Sequence, residues 1–193
     1  MSQEIEIEFK NLLTEEEYLK LYQDLSFESV ELIEQTNYYF ETEDFQLRQH
    51  GAALRIRRKG DQWTLTLKQP HSEGLLETHD VLAEDDVNQW MINRPTQTDS
   101  VENQLRELGV SLGDLRFMGS LITRRKEKSY KRTTVVLDHS FYFEKIDYEL
   151  ELEAPTVESG KRVFHELLEE YNIPQRDTDN KIKRFFDAKS QSD

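Results

Sequence analysis

The sequence contains no cysteine. That excludes disulfides, thiolate metal sites, iron–sulfur clusters and a cysteine nucleophile. Proline (4) and glycine (7) are scarce. The few glycines make no GxGxxG or GxxxxGK[ST] phosphate loop and no Gly-x-Ser-x-Gly elbow. No apolar run approaches the ~20 residues of a membrane helix. The opening Met1-Ser2-Gln3-Glu4 has no leader character. Positive charge is in deficit: 25 Lys and Arg against 39 Asp and Glu leave −14 over 193 residues. A surface with that balance repels nucleic acid and anionic membranes. His50, His71, His79, His139 and His165 show no metal-ligand spacing and read as surface or strand residues. His79 stands apart because it shares strand parity with Glu77. Aromatic content of 10% argues against disorder. The expectation is one acidic, cytoplasmic domain over residues 1–193, with neither nucleic acid nor membrane as partner.

What is present is strand. Glu4 to Lys10 reads Glu-Ile-Glu-Ile-Glu-Phe-Lys, a strict period of two. Similar runs follow at 36–42, 52–59, 62–69, 74–82, 119–130, 133–140 and 147–153. These are about eight strands, enough to close a sheet on itself. Gly60-Asp61 is a hairpin turn signal, and Lys131-Arg132 a weaker one. Amphipathic helices lie between and after the strands. Thr14 and Glu17 form a capping box before Tyr18, Leu21, Tyr22 and Leu25. Two short helices are expected within 85–115, the second stopping at Gly109. Val163, Phe164, Leu167, Leu168 and Tyr171 mark another helix, and Ile182, Phe185 and Phe186 a last one. Acidic strands in both halves, Glu4–Glu8 and Glu149–Glu153, suggest a pseudo-repeat.

Alternation sorts these strands into two faces. Ile5, Ile7 and Phe9 oppose Glu4, Glu6, Glu8 and Lys10; Leu54 and Ile56 oppose Arg55 and Arg57. Trp63, Leu65 and Leu67 oppose Thr64, Thr66 and Lys68, while Leu150 and Leu152 oppose Glu149 and Glu151. The simplest reading is an antiparallel sheet with its polar side in water. Yet glutamates are grouped on two strands and basic residues on others, and like charges at i and i+2 repel. Enclosure of both sets would resolve this, with cations among the glutamates and an anion among the arginines. That second reading, which the resemblance given below favours, is α+β: a closed eight-stranded antiparallel β-barrel with a polar interior, covered by amphipathic helices. Grouped carboxylates suit Mg²⁺ or Mn²⁺. Grouped Arg and Lys suit phosphate.

Glu6-x-Glu8-x-Lys10 resembles the ExExK motif of the CYTH superfamily, the triphosphate tunnel metalloenzymes. Leu54-Arg55-Ile56-Arg57 resembles its paired-arginine strand, and Leu67-Lys68 its lysine strand. Glu77, Arg125, Asp138, Glu149-x-Glu151 and Lys181 follow in the order the family shows. The small stand-alone Firmicutes members, often labelled "putative adenylate cyclase", are the most similar type. The resemblance implies a tunnel that binds a triphosphate-containing small molecule. It implies metal carboxylates at Glu6, Glu8, Glu149 and Glu151, with Asp138 and Glu77 supporting. It implies a phosphate clamp of Lys10, Arg55, Arg57, Lys68, Arg125 and Lys181. Of these, Glu6, Glu8, Lys10, Arg57 and Arg125 would be catalytic. Glu4 and Glu153 extend the two acidic rows, so the second pair reads as Glu149/Glu151 or Glu151/Glu153. Glu41 stands where many members have Asp.

The implied function is metal-dependent hydrolysis of inorganic tripolyphosphate or of an organic or nucleoside triphosphate, with Mg²⁺ or Mn²⁺ as cofactor. Two alternatives share the fold. One is a class IV-type adenylyl cyclase, against which stands the lack of the His-Phe pair that precedes ExExK in that class. The other is a non-catalytic polyphosphate- or nucleotide-binding module.

Overall fold

The alternating runs form nine antiparallel strands in a computed structural model that describes residues 2–192. In chain order the elements are β1 (Ser2–Glu6), β2 (Glu8–Leu13), α1 (Glu15–Asp24), β3 (Ile33–Thr42), α2 (Gln46–Gln49) and β4 (Ala53–Lys59). Then come β5 (Gln62–His71), β6 (Gly74–Leu82), α3 (Glu84–Met91), α4 (Ser100–Glu107) and β7 (Leu115–Tyr130). The chain ends with β8 (Thr133–Tyr142), β9 (Lys145–Glu153), α5 (Val157–Glu170) and α6 (Lys181–Ser192). Nine strands rather than eight arise because the run Glu4–Lys10 breaks at Ile7. β1 pairs with β6, whereas β2 pairs with β9. The period-two pattern passes through Ile7 unbroken, so the sequence gives no sign of a change of partner.

The chain divides into two compact units. The first is built on Gln35–Leu121 together with the chain up to Glu6, and orders its strands β1-β6-β5-β4-β3. Its apolar strand face carries Leu54, Ile56, Leu65 and Leu67, covered by Val87 and Trp90 of α3 and Val101 and Leu105 of α4. Trp63 packs against this core, as its parity with Leu65 predicts. The second unit is built on Ile7–Glu34 and the chain from Ile122, and orders its strands β7-β8-β9-β2. Val135, Leu137, Leu150 and Leu152 meet Val163, Phe164, Leu167 and Leu168 of α5, with Leu21 of α1. In both units the helices cover the apolar side of the strands, which leaves the polar side for the other face.

Local chemistry sets the element ends. The Thr14 hydroxyl accepts from Glu17 N, and the Glu17 carboxylate accepts from Thr14 N at 2.7 Å, completing the capping box of α1. Lys131 and Arg132 both adopt positive φ, 46° and 64°, because a two-residue hairpin of this hand demands it even without Gly or Asn. Gly160 in α5 lies against β2. A Cβ there would sit 2.4 Å from Phe9 Cε2 and 2.7 Å from Ala154 Cβ. No helix among the described residues is long and apolar enough to cross a membrane.

Candidate functional site

Several carboxylates of the polar strand faces are withdrawn from water, although Glu4 at the sheet edge is not. Glu149 is 1% exposed, Glu151 5%, Asp138 0% and Glu77 4%. A buried carboxylate is tolerated only when paired, and the register supplies the pairs.

In the unit built on β7, β8, β9 and β2, cross-strand neighbours form polar rows. Arg125 lies opposite Asp138, and Asp138 opposite Glu149. One step along, Glu151 lies opposite Lys10; a further step places Glu153 opposite Glu8. Arg125 Nε donates to Asp138 Oδ1 at 2.8 Å, and its Nη2 donates to Asp138 Oδ2 at 2.7 Å and to Glu151 Oε2 at 2.5 Å. Lys181, at the start of α6, donates to Asp138 Oδ2 at 2.5 Å and to Glu151 Oε1 at 3.0 Å. Lys10 pairs with Glu8. The predicted residues Lys10, Arg125, Asp138, Glu149, Glu151 and Lys181 thus belong to one network. Of the two possible glutamate pairs, Glu149 and Glu151 are the buried ones; Glu153 is 37% exposed.

These pairings bias protonation. Burial pushes Glu151 upward, but Lys181, Arg125 and Lys10 outweigh it and hold the carboxyl well below its usual range. Asp138 is held down in the same way, by Arg125 and Lys181 against burial. Burial would lower Lys10, yet Glu8 and Glu151 raise it. Glu149 goes the other way. Burial, joined by repulsion from Glu151, raises it despite Lys181 and Arg184. Its Oε1 is buried and accepts no hydrogen bond.

In the unit built on β1, β6, β5, β4 and β3, Lys68 lies opposite Glu77, and Glu77 opposite Glu4. Lys68 pairs with Glu77 and with Glu6 Oε2, the latter at 2.5 Å. Burial works to raise Glu77, but Arg55 and Lys68 prevail and hold it at about 2. Arg57 Nε donates to Asn37 Oδ1 at 2.8 Å. Arg55 Nε is buried without a hydrogen-bond acceptor. His79 Nε2 lies 3.3 Å from Glu4 Oε1 and 3.5 Å from Glu77 Oε2, while its Nδ1 meets the Thr66 hydroxyl at 3.0 Å. Ligand atoms of Glu4, Glu77 and His79 all fall within 4.8 Å of one another, a possible metal-holding group. Glu41 has a structural task. Its buried carboxylate accepts from Leu47 N at 3.0 Å and Arg48 N at 2.9 Å, capping α2.

Sequence reasoning missed Arg184. It pairs with Glu149 and donates through Nε to Asp147 Oδ2 at 2.9 Å. A signal existed: Arg184 follows Lys181 by three residues, one helical turn, beside the apolar Phe185 and Phe186. Asp147 and Tyr142 were missed with it. Asp147 continues the alternating acidic row two residues before Glu149, a signal that was there to be used, whereas nothing in its own neighbourhood marks Tyr142.

Rows of paired carboxylates and cations on helix-covered antiparallel strands define an α+β protein whose polar strand faces carry its candidate site. The chain belongs to the CYTH domain family, whose model matches residues 4–186. It is 44% identical over 193 residues, the whole of both chains, to "Putative triphosphatase YjbK" of Bacillus subtilis (strain 168). It is similar to the crystal structure of a "putative adenylate cyclase" from Bacillus halodurans, with 40% identity and a TM-score of 0.92. That match covers 96% of this chain and 100% of the other. A Hippeastrum "putative adenylyl cyclase", described as having a dominant triphosphatase activity, shares the fold at 24% identity and a TM-score of 0.78. It covers 95% of this chain and 96% of its own.

Proposed function

We propose that the chain acts as a single CYTH-type domain and a divalent-metal-dependent triphosphatase of the cytoplasm. Its substrate would be inorganic tripolyphosphate or an organic or nucleoside triphosphate. One observation carries this reading: two strand faces are lined with buried and half-buried carboxylate–cation pairs. Such pairs suit exchange. A metal–triphosphate complex offers a cation to each carboxylate and phosphate oxygens to each Lys and Arg, so pairing is kept throughout. The YjbK name and the triphosphatase activity attributed to the Hippeastrum protein point the same way.

In this proposal Glu6, Glu8, Glu149 and Glu151 hold Mg²⁺ or Mn²⁺, with Asp138 and Glu77 in support. The unpartnered Glu149 Oε1 fits that role, because a carboxylate oxygen without a donor suits a hard cation. A bound divalent ion supplies charge neutralisation at the phosphate oxygens. Lys10, Arg55, Arg57, Lys68, Arg125 and Lys181 bind the phosphate chain. The arginines fork onto non-bridging oxygens and stabilise charge as it spreads over the terminal phosphoryl group. Water attacks that phosphorus in line, the bond to the leaving diphosphate breaks, and the water's proton is released.

The test is phosphate release from tripolyphosphate, ATP, GTP and thiamine triphosphate with Mg²⁺ or Mn²⁺, with cyclic AMP measured in parallel. Metal-dependent phosphate release that stops in EDTA is the expected result. Full activity in EDTA after metal stripping, or product dominated by cyclic AMP, overturns it.

A further inference from the structure

Arg184 is held at three points. Nη2 donates to Glu149 Oε2, Nε to Asp147 Oδ2 at 2.9 Å, and Nη1 to the Asp179 carbonyl at 2.5 Å. Asp147 also accepts from the Tyr142 hydroxyl at 2.5 Å. Asp147 and Glu149 are two residues apart on β9 and so share a face. The guanidinium engages the two carboxylates through separate nitrogens of one rigid planar fork, a geometry that a single ammonium nitrogen cannot reproduce. Only one Glu149 oxygen is engaged. Oε2 carries Arg184, with Lys181 Nζ 3.6 Å from the same atom, while Oε1 is buried and accepts no hydrogen bond. The carboxylate is therefore gripped by one oxygen and presents the other.

We propose that Arg184 is a positioning residue which, braced by Asp147 and Tyr142, holds Glu149 so that Oε1 is the single oxygen given to a divalent cation. This rests on the reading of Glu149 as a metal carboxylate. Hydrogen bonds orient ligating side chains, and removing such a partner typically costs ~10–100-fold in metal affinity. Net charge alone argues the reverse, since deleting a cation beside a carboxylate should tighten cation binding. The two accounts differ in sign, so one measurement separates them.

The measurement is Mn²⁺ binding to the full chain without triphosphate, by electron paramagnetic resonance of free Mn²⁺ and by calorimetry. Arg184→Gln is expected to weaken binding by ~10–100-fold. Arg184→Lys restores the charge but not the fork, and its affinity should stay below wild type. Unchanged or tighter binding in folded Arg184→Gln overturns the proposal, as does full rescue by lysine. Should Arg184→Gln fail to fold, Tyr142→Phe removes one hydroxyl of the brace and should weaken binding in the same direction; no weakening overturns the proposal. Glu149→Gln separates this inference from the reading beneath it. Mn²⁺ binding indifferent to Glu149→Gln removes both. Binding lost in Glu149→Gln but kept in Arg184→Gln removes only the positioning role.

Discussion

Glu77 and Glu149 are both buried glutamates, and their surroundings push them in opposite directions. Burial raises each; Arg55 and Lys68 overcome it at Glu77, whereas Lys181 and Arg184 do not at Glu149. The sign has a consequence for stability. Glu77 falls from an ordinary 4.5 to about 2, so its carboxylate stabilises the fold fully above 4.5. That contribution drains away as the pH falls from 4.5 to about 2. Urea melts of wild type and Glu77→Gln should differ at pH 7, and the gap should narrow through that window. A gap independent of pH would contradict the assignment. The proposed division of labour predicts a second contrast. Glu8→Gln should lose activity chiefly through metal and regain part of it at higher metal concentration. Arg57→Ala should lose about 2–4 kcal/mol of transition-state stabilisation, the scale of one preorganised donor. Steady-state kinetics over a metal titration tells them apart, and identical metal-independent losses would remove the division.

Between elements, the sequence was most legible where alternation or helical spacing met a buried face. Leu54, Ile56, Leu150 and Leu152 are in the cores to which their parity sends them. The Thr14–Glu17 box caps α1 as written. Alternation reports which face a residue takes, though, and never which strand lies beside it. The switch at Ile7 was therefore invisible, and so was the row that joins Arg125, Asp138 and Glu149 across three strands. Arg184 was hidden for a related reason: its partners on β9 are more than thirty positions earlier in the chain. Helix propensity misleads at one position as well. Gly to Ala inside a helix ordinarily stabilises by about 1 kcal/mol. At Gly160 the added methyl would press on Phe9 and Ala154, and overpacking of that kind costs about 1–3 kcal/mol. Gly160→Ala should lower the denaturation midpoint; a higher midpoint would show that α5 can shift outward at no cost.

Over the whole molecule the net charge of −14 conceals local balance. Basic side chains grouped by strand would repel one another in isolation, but Lys68, Arg125 and Lys181 each contact two or more carboxylates. A triphosphate would exchange partners rather than relieve repulsion, so its stabilising effect comes from mass action. At a hundredfold excess over Kd that is about 2.7 kcal/mol. In a domain of this size it corresponds to a rise in Tm of roughly 5–10 °C. The rise should survive moderate salt, because enclosed charges are screened less than surface ones. Differential scanning with millimolar tripolyphosphate, with and without Mg²⁺, measures it. No shift in either condition would remove triphosphate as the ligand.

The break at Ile7 also governs when the molecule can be finished during translation. β1 and β2 are made well before the strands they pair with, since Ser2 pairs with His79 and Glu8 with Glu153. Loops of that span are slow to close, and strands awaiting distant partners expose unpaired edges meanwhile. Like charge on such waiting edges is the general means by which unpaired strands are kept from pairing with their own copies, and β1 and β2 carry Glu4, Glu6 and Glu8.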